Sequence, residues 1–221
     1  MSSSLNIKSI HFILLLITTP ILFIASRNIL QAQSAHNYTI EYAILADSKI
    51  TVAGTTNINE FACFSIEKYG KSKGTTTIDP VTNTAIFRDT KLKVATVSLN
   101  CGNDAMNSNL YNLLRAEELP YIIIEIQQAK SKDGKPVNFS VQSPMTAKVY
   151  ITLAGVRRIN EITFTGKEMY PGAYHFTGQH NISLNDYHLK APEALFGLVK
   201  VNDIITVKFD LKVAVRATPL P

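Results

Sequence analysis

The sequence predicts an all-β protein, folded as a sandwich or a closed barrel with a single helix inserted. Apolar and polar residues alternate with a period of two over most of residues 38–215, as they do in strands with one buried face. Turn-forming pairs such as Asp133-Gly134 and Pro171-Gly172 separate these segments at short intervals. Only one short segment shows a helical period, so a fold built mainly of helices is excluded.

Four segments show the alternation most clearly. Their apolar positions are Ile50 and Val52, then Ile122, Ile124 and Ile126, then Ala147, Val149, Ile151 and Leu153, and finally Ile205, Val207, Phe209, Leu211 and Val213. Shorter candidate strands lie at 61–66, 84–88, 92–99, 137–142, 160–166, 173–178 and 180–184. Closure of so many strands into a barrel would remove the exposed edges of the sheet. A barrel of about eight strands either fills its own interior or holds one small ligand.

A helical stripe interrupts the strands near residues 104–116. It consists of Met106, Leu110, Leu113 and Leu114, at positions i, i+4, i+7 and i+8. Asn103 or Asp104 can cap the start of this helix, and Pro120 limits its end. We expect the stripe to face the barrel, where it would cover one opening or line part of the interior.

Composition excludes several classes of protein. The chain has 221 residues, 46% of them hydrophobic and 18% charged, which is typical of a globular domain and not of a disordered chain. Lys and Arg number 22 against 17 Asp and Glu, and they form no basic run, so nucleic acid is not an expected partner.

The first 32 residues have the pattern of a secretory signal peptide. Lys8 precedes a mostly apolar stretch over 10–25, and small residues follow it at 32–35. The alternative is a membrane anchor, but the apolar stretch is shorter than the roughly 20 residues that span a bilayer. We therefore expect cleavage after Ala32, with Ser34 and Ala35 as the alternative last residues of the signal. We expect no stable membrane span afterwards, and one domain over 33–221. Loss of Lys8 and Arg27 leaves 20 bases against 17 acids, a net charge of about +3.

Two cysteines, Cys63 and Cys101, lie in or beside predicted strands. An exported protein meets an oxidising compartment, where an even number of cysteines usually pairs. We predict a Cys63–Cys101 disulfide; the alternative is two buried free thiols.

Motifs of known catalytic chemistry are missing from the sequence. There is no GxSxG, HExxH, GxGxxG or P-loop, and the carboxylates are scattered along turns. His175 and His180 could approach each other across a hairpin, but a metal would also need His188 or Asp186 to converge on them. We predict no catalytic residue, no metal and no cofactor other than a bound lipid.

Five segments, in order, resemble the YceI-like family. They are GTTNINEF (54–61), CGNDAM followed by LYNLLRAEELPY (101–106 and 110–121), ITLAGV (151–156), LNDYHLKAP (184–192) and ALFGLVKVNDIITVKF (194–209). The resemblance extends over about residues 38–215. It implies a lipocalin-like antiparallel β-barrel in an exported bacterial protein of the periplasm or extracellular space. It further implies that the protein binds a polyprenyl lipid or an isoprenoid quinone and is not an enzyme.

Two other functions are compatible with the same residues. One is an enzyme or stress-response protein that acts on a quinone in the same cavity. The other is a structural β-domain whose interior is filled by its own side chains. A continuous apolar cavity would separate the binding functions from the filled core.

The inward-facing apolar residues are the predicted ligand contacts. They are Ile50, Val52, Phe61, Leu110, Leu114, Ile124, Val149, Ile151, Leu153, Phe164, Phe196, Val207 and Phe209. Such side chains favour hydrocarbon and disfavour polar ligands, because they offer no hydrogen bonds. A polar head group would stay at the rim, where Arg157 and Arg158 are the candidate contacts.

Export is directly testable. When the protein is made in a bacterial host, we expect N-terminal sequencing of the mature form to begin between Gln33 and His36. A mature product that still carries Met1 or Ser2 would favour the membrane anchor instead.

Overall fold

The computed structural model describes residues 35–65, 68–194 and 198–220. The predicted signal peptide and Phe196 lie outside these ranges. Within them, one α-helix and fourteen strands are formed. The helix is α1 (Asp104–Leu113), and the strands are β1 (His36–Ile44), β2 (Lys49–Thr55), β3 (Glu60–Ser65), β4 (Lys71–Asp79), β5 (Thr84–Arg88), β6 (Lys91–Ala95), β7 (Leu99–Asn100), β8 (Tyr121–Ser131), β9 (Ser143–Leu153), β10 (Val156–Tyr170), β11 (Ala173–Ser183), β12 (Glu193–Ala194), β13 (Val199–Lys200) and β14 (Ile204–Pro219).

An antiparallel sheet closes into a ring of eight strands, which confirms the predicted barrel. The ring runs β1, β4, β5, β8, β9, β10, β11 and β14, and it closes where β14 pairs with β1, from Tyr38 opposite Pro219 to Ile44 opposite Val213. β14 then continues along β2, where Phe209 lies opposite Ile50. β1 and β2 therefore act as one interrupted strand of the barrel wall.

The same kind of interruption occurs in β5 and β6, which follow one another along β8. Within β8 itself, a bulge between Ile126 and Gln128 shifts the register against β9. An extra residue reverses the face of every side chain that follows it. Ile122, Ile124 and Ile126 line the interior before the bulge, and Ala129 lines it afterwards.

α1 is shorter than the predicted 104–116. It has 10 residues, and the Asn103 side chain caps its start by accepting a hydrogen bond from the backbone N–H of Met106. It ends at Leu113 because Arg115 takes a left-handed backbone conformation, with φ of 57°. Among the residues that the structure describes, no helix is long and apolar enough to cross a membrane.

Three of the predicted strand assignments were wrong. The segment 92–99 is not one strand, because β6 ends at Ala95 and a 3-10 helix (Thr96–Ser98) separates it from β7. Residues 137–142 form a loop, because the Asn138 side chain accepts a hydrogen bond from the backbone N–H of Ser140, and the backbone carbonyl of Asn138 accepts one from Ser143 Oγ. These local bonds compete with strand pairing. The segments 173–178 and 180–184 are not two strands, since one strand, β11, extends from Ala173 to Ser183.

The buried core lies at the end of the barrel that carries α1. Leu114 from the end of the helix, Leu184, Tyr187 and Leu189 from the segment after β11, and Leu153 from β9 belong to one cluster. Tyr187 is only 2% exposed. This cluster fixes the two connecting segments against the barrel wall.

Cys63 and Cys101 form the predicted disulfide. It joins β3 to the segment that leads into α1, and Cys63 is buried. The backbone N–H of Cys101 also donates to Asn107 in the first turns of the helix, at 2.8 Å. The disulfide thus ties the start of α1 to the barrel.

Loss of this disulfide should lower the free energy of unfolding by about 4 kcal/mol, because it closes a loop between residues 38 positions apart. Urea denaturation of the wild type with and without reductant measures the difference. A Cys63→Ala/Cys101→Ala variant is the control, and its unfolding should not respond to reductant. An equal response in both proteins would contradict the assignment.

Candidate functional site

A cavity of about 1110 Å³ extends through the interior of the barrel. This slightly exceeds the usual size of small-molecule sites, roughly 300–1,000 Å³. Thr56 and Glu60, in and after the loop between β2 and β3, line it at the end that carries α1. Asp79 and Asn83, in the turn between β4 and β5, line it at the opposite end. The cavity is therefore elongated along the barrel axis.

Every predicted ligand contact within the described residues lines this cavity. They are Ile50, Val52, Phe61, Leu110, Leu114, Ile124, Val149, Ile151, Leu153, Phe164, Val207 and Phe209. The period of two in β2, β8, β9 and β14 places them there, since alternate residues of a strand share a face. The structure shows that these side chains line the cavity, and their contact with a ligand stays a prediction.

α1 contributes to the cavity wall along its apolar stripe. Met106, Leu110, Leu113 and Leu114 all line the interior, as the stripe predicted. Leu110 and Leu113 also pack against the buried core cluster. The helix therefore closes part of one barrel end with hydrocarbon.

An aromatic cluster lines the end opposite to α1. Phe164 and Phe176 meet edge to face with ring centroids 5.8 Å apart, and Phe209 lies 6.5 Å from Phe164. Phe139 reaches this cluster from the loop at 137–142, with its ring 5.2 Å from that of Tyr174. Sequence reasoning missed Phe139 because that segment was expected to be a strand.

Gly178 makes room for these rings. A Cβ atom added there would lie 2.6 Å from Phe209 Cζ and 2.9 Å from Phe164 Cβ. Two aromatic side chains therefore lie directly against the backbone of β11, a close approach that a glycine permits.

Polar side chains also line the cavity within the apolar wall, among them Thr76, Thr90 and His180. From the sequence, His180 was considered only as a possible metal ligand and not as a cavity residue. His180 on β11 lines the cavity, and its Nε2 lies 3.0 Å from Oδ1 of Asn160 on β10. Asn160 Nδ2 in turn donates to the Tyr187 hydroxyl at 3.0 Å and to the carbonyl of Arg158 at 3.1 Å. Burial lowers the pKa of His180 below its usual value of about 6.5, and burial raises the pKa of Tyr187. Both groups are therefore uncharged at neutral pH.

Solved structures share this fold. A polyisoprenoid binding domain from Saccharophagus degradans, implicated in plant cell wall breakdown, matches with a TM-score of 0.57 and 14% identity over 79% of this chain and 98% of that chain. The chain has the YceI-like fold. BcnA from Burkholderia cenocepacia matches with a TM-score of 0.51 and 14% identity, over 76% of this chain and 97% of that chain. No protein-family model matches the sequence, and no curated protein matches it significantly.

The two central histidines of this YceI-like barrel do not meet. His175 and His180 lie on the same strand, five positions apart, and therefore on opposite faces of the sheet. On the outer face, His175 Nε2 is hydrogen-bonded to Asp210 Oδ1 at 2.7 Å, whereas His180 lines the cavity. The idea that they approach each other across a hairpin was wrong. Over the described ranges, no group of three or more His, Cys, Asp or Glu side chains could hold a metal ion.

Arg157 and Arg158 do not reach the cavity. Arg157 Nε donates to Glu125 at 2.8 Å, and its guanidinium stacks 3.4 Å from the Tyr150 ring centroid. Arg158 Nε donates to the carbonyl of Asp186, also at 2.8 Å. Partial burial would raise the pKa of Glu125, but hydrogen bonds from Lys91 and Arg157 outweigh it and the pKa is lowered. Arg157 is thus bonded to the barrel wall and Arg158 to the segment after β11, and their role as head-group contacts stays a prediction.

Gly178→Ala should lower the free energy of unfolding by about 1–3 kcal/mol, because the added methyl group overlaps Phe209 and Phe164. Gly70→Ala is a matched control, since a Cβ atom there would meet nothing within 4 Å. Urea denaturation of both variants measures the effect. Equal stability of the two would show that the rings do not press against β11.

Proposed function

We propose that this protein is an exported lipid-binding protein that holds a long-chain isoprenoid in its barrel cavity. The single observation that supports this most strongly is the elongated cavity of about 1110 Å³, lined mainly by aliphatic and aromatic side chains between its polar ends. The likeness to a polyisoprenoid binding domain supports the same ligand class.

The chemistry of the wall favours a hydrocarbon chain. Each methylene group transferred from water to such a wall contributes about 0.8 kcal/mol, before the entropy lost on binding. A charged or strongly polar ligand would lose its hydration without regaining hydrogen bonds. A chain of repeated isoprene units is long, flexible and apolar, which fits the elongated shape.

The cavity weighs against a purely structural domain. A filled core would bring inward side chains such as Val149, Ile151 and Val207 into mutual contact and leave no space of this size. The enzyme alternative requires an acid or base beside a reacting group. Turnover of a bound isoprenoid quinone would support that alternative, and unchanged quinone would support a binding protein.

Location in the periplasm or outside the cell is part of the proposal. The apolar segment at 10–25 supports export. The Cys63–Cys101 disulfide supports an oxidising compartment.

A bulky side chain in the wall should block binding. Val149 is buried, lines the cavity and lies in the middle of β9, so Val149→Trp should reduce uptake of radiolabelled geranylgeraniol by about tenfold. Lys148→Trp carries the same side chain at the neighbouring exposed position and should bind like the wild type. Circular dichroism confirms that each variant is folded.

Two results would contradict the proposal. One is wild-type protein that takes up neither geranylgeraniol nor an isoprenoid quinone. The other is a folded Val149→Trp variant that binds as much lipid as Lys148→Trp does.

A further inference from the structure

The hydrogen bonds around Asn160 fix the direction of its amide. One of its two terminal atoms lies 3.1 Å from the backbone carbonyl of Arg158. A carbonyl oxygen only accepts hydrogen bonds, so the amide nitrogen must face it. The other terminal atom, the oxygen Oδ1, therefore faces His180.

The direction of that amide fixes the tautomer of His180. Asn160 Oδ1 only accepts, so the proton of the neutral imidazole must be on Nε2, which lies 3.0 Å away. The second ring nitrogen, Nδ1, then carries a lone pair and no proton. Burial lowers the pKa of the ring, which keeps it in this neutral form.

Nδ1 has no hydrogen-bond partner within the described part of the chain, whereas Nε2 has Asn160. Its neighbours on the inner face are Ile182, two positions along β11, and Val207, directly opposite on β14; both line the cavity and offer no hydrogen-bond donor. An acceptor left unpaired in an apolar environment costs free energy. A ligand that brings a hydrogen-bond donor to this position would remove that cost.

We propose that the cavity selects isoprenoid lipids that carry a hydroxyl group, a prenol or a quinol, and that His180 Nδ1 accepts the hydrogen bond from that hydroxyl. This inference rests on the proposed function, since it requires an isoprenoid in the cavity. His180 is the specificity-determining residue, and Asn160 is a positioning residue that holds its tautomer.

Lipids that share one hydrocarbon chain are distinguished by whether their polar end carries a hydroxyl donor. An ether or an oxidised quinone presents only acceptor oxygens, which would face the Nδ1 lone pair without a proton between them. The hydrocarbon chain contributes equally in both cases. Selectivity therefore comes from the donor and not from the chain.

Geranylgeraniol and geranylgeranyl methyl ether are the matched probes. They share the chain and the oxygen atom, and in the ether a methyl group replaces the hydroxyl hydrogen. We expect the wild type to bind geranylgeraniol about tenfold more tightly, as for one hydrogen bond to an acceptor that faces an apolar cavity. In ¹⁵N spectra, the resonance of His180 Nδ1 should move with the alcohol and not with the ether.

His180→Phe should bind both probes with equal affinity, because the acceptor is gone and the wall stays apolar. His175→Phe is the matched control on the outer face of the same strand, and it should keep the wild-type preference. Asn160→Leu should weaken the preference, since it frees the imidazole tautomer. If a variant fails to fold, the comparison of the two probes on the wild type still decides the matter.

The outcomes separate this inference from the proposed function. Wild-type protein that binds neither probe would overturn the lipid-binding function itself. Equal binding of alcohol and ether would overturn only the selection of a donor, and lipid binding would stand. A preference that persists in folded His180→Phe would show that another group accepts the hydroxyl.

Discussion

The pairing of β14 with β1 is the interaction on which the rest of the structure depends. It closes the ring of eight strands and satisfies the backbone groups of what would otherwise be two exposed edges. Closure also forces alternate residues of every strand into one enclosed space. In this barrel, alanines at inward positions such as Ala129 and Ala147 leave part of that space unfilled, whereas Gly178 admits the rings of Phe164 and Phe209. The cavity follows from closure combined with small residues.

Much of this arrangement could be predicted from the sequence because a strand has a simple period. Val149, Ile151 and Leu153 alternate with exposed or half-exposed neighbours, so their shared face was evident, and it lines the cavity. The α1 stripe was evident for the same reason. Which way each face points depends on closure and on bulges, as the shift after Ile126 illustrates, and neither has a clear signal in the sequence.

The residues that sequence reasoning missed lie where a tertiary contact overrides a local pattern. Phe139 belongs to a loop held by Asn138, yet its ring joins the aromatic cluster of the barrel. His180 and Asn160 occupy inward positions, next to the apolar Ile182 and Ile162. A polar residue at an otherwise apolar inward position of each strand was the sequence signal that could have identified them. Arg157 was selected for its place beside a turn, but its partner Glu125 lies on another strand.

The central claim is that the cavity holds an isoprenoid lipid, and its most direct test is the mass spectrum of an organic extract of purified wild-type protein. This account predicts a prenyl-chain lipid in roughly equal amount to the protein. Recovery of the protein without any lipid would contradict the claim, as would recovery of a small polar ligand. Either result would favour a barrel whose cavity serves another purpose.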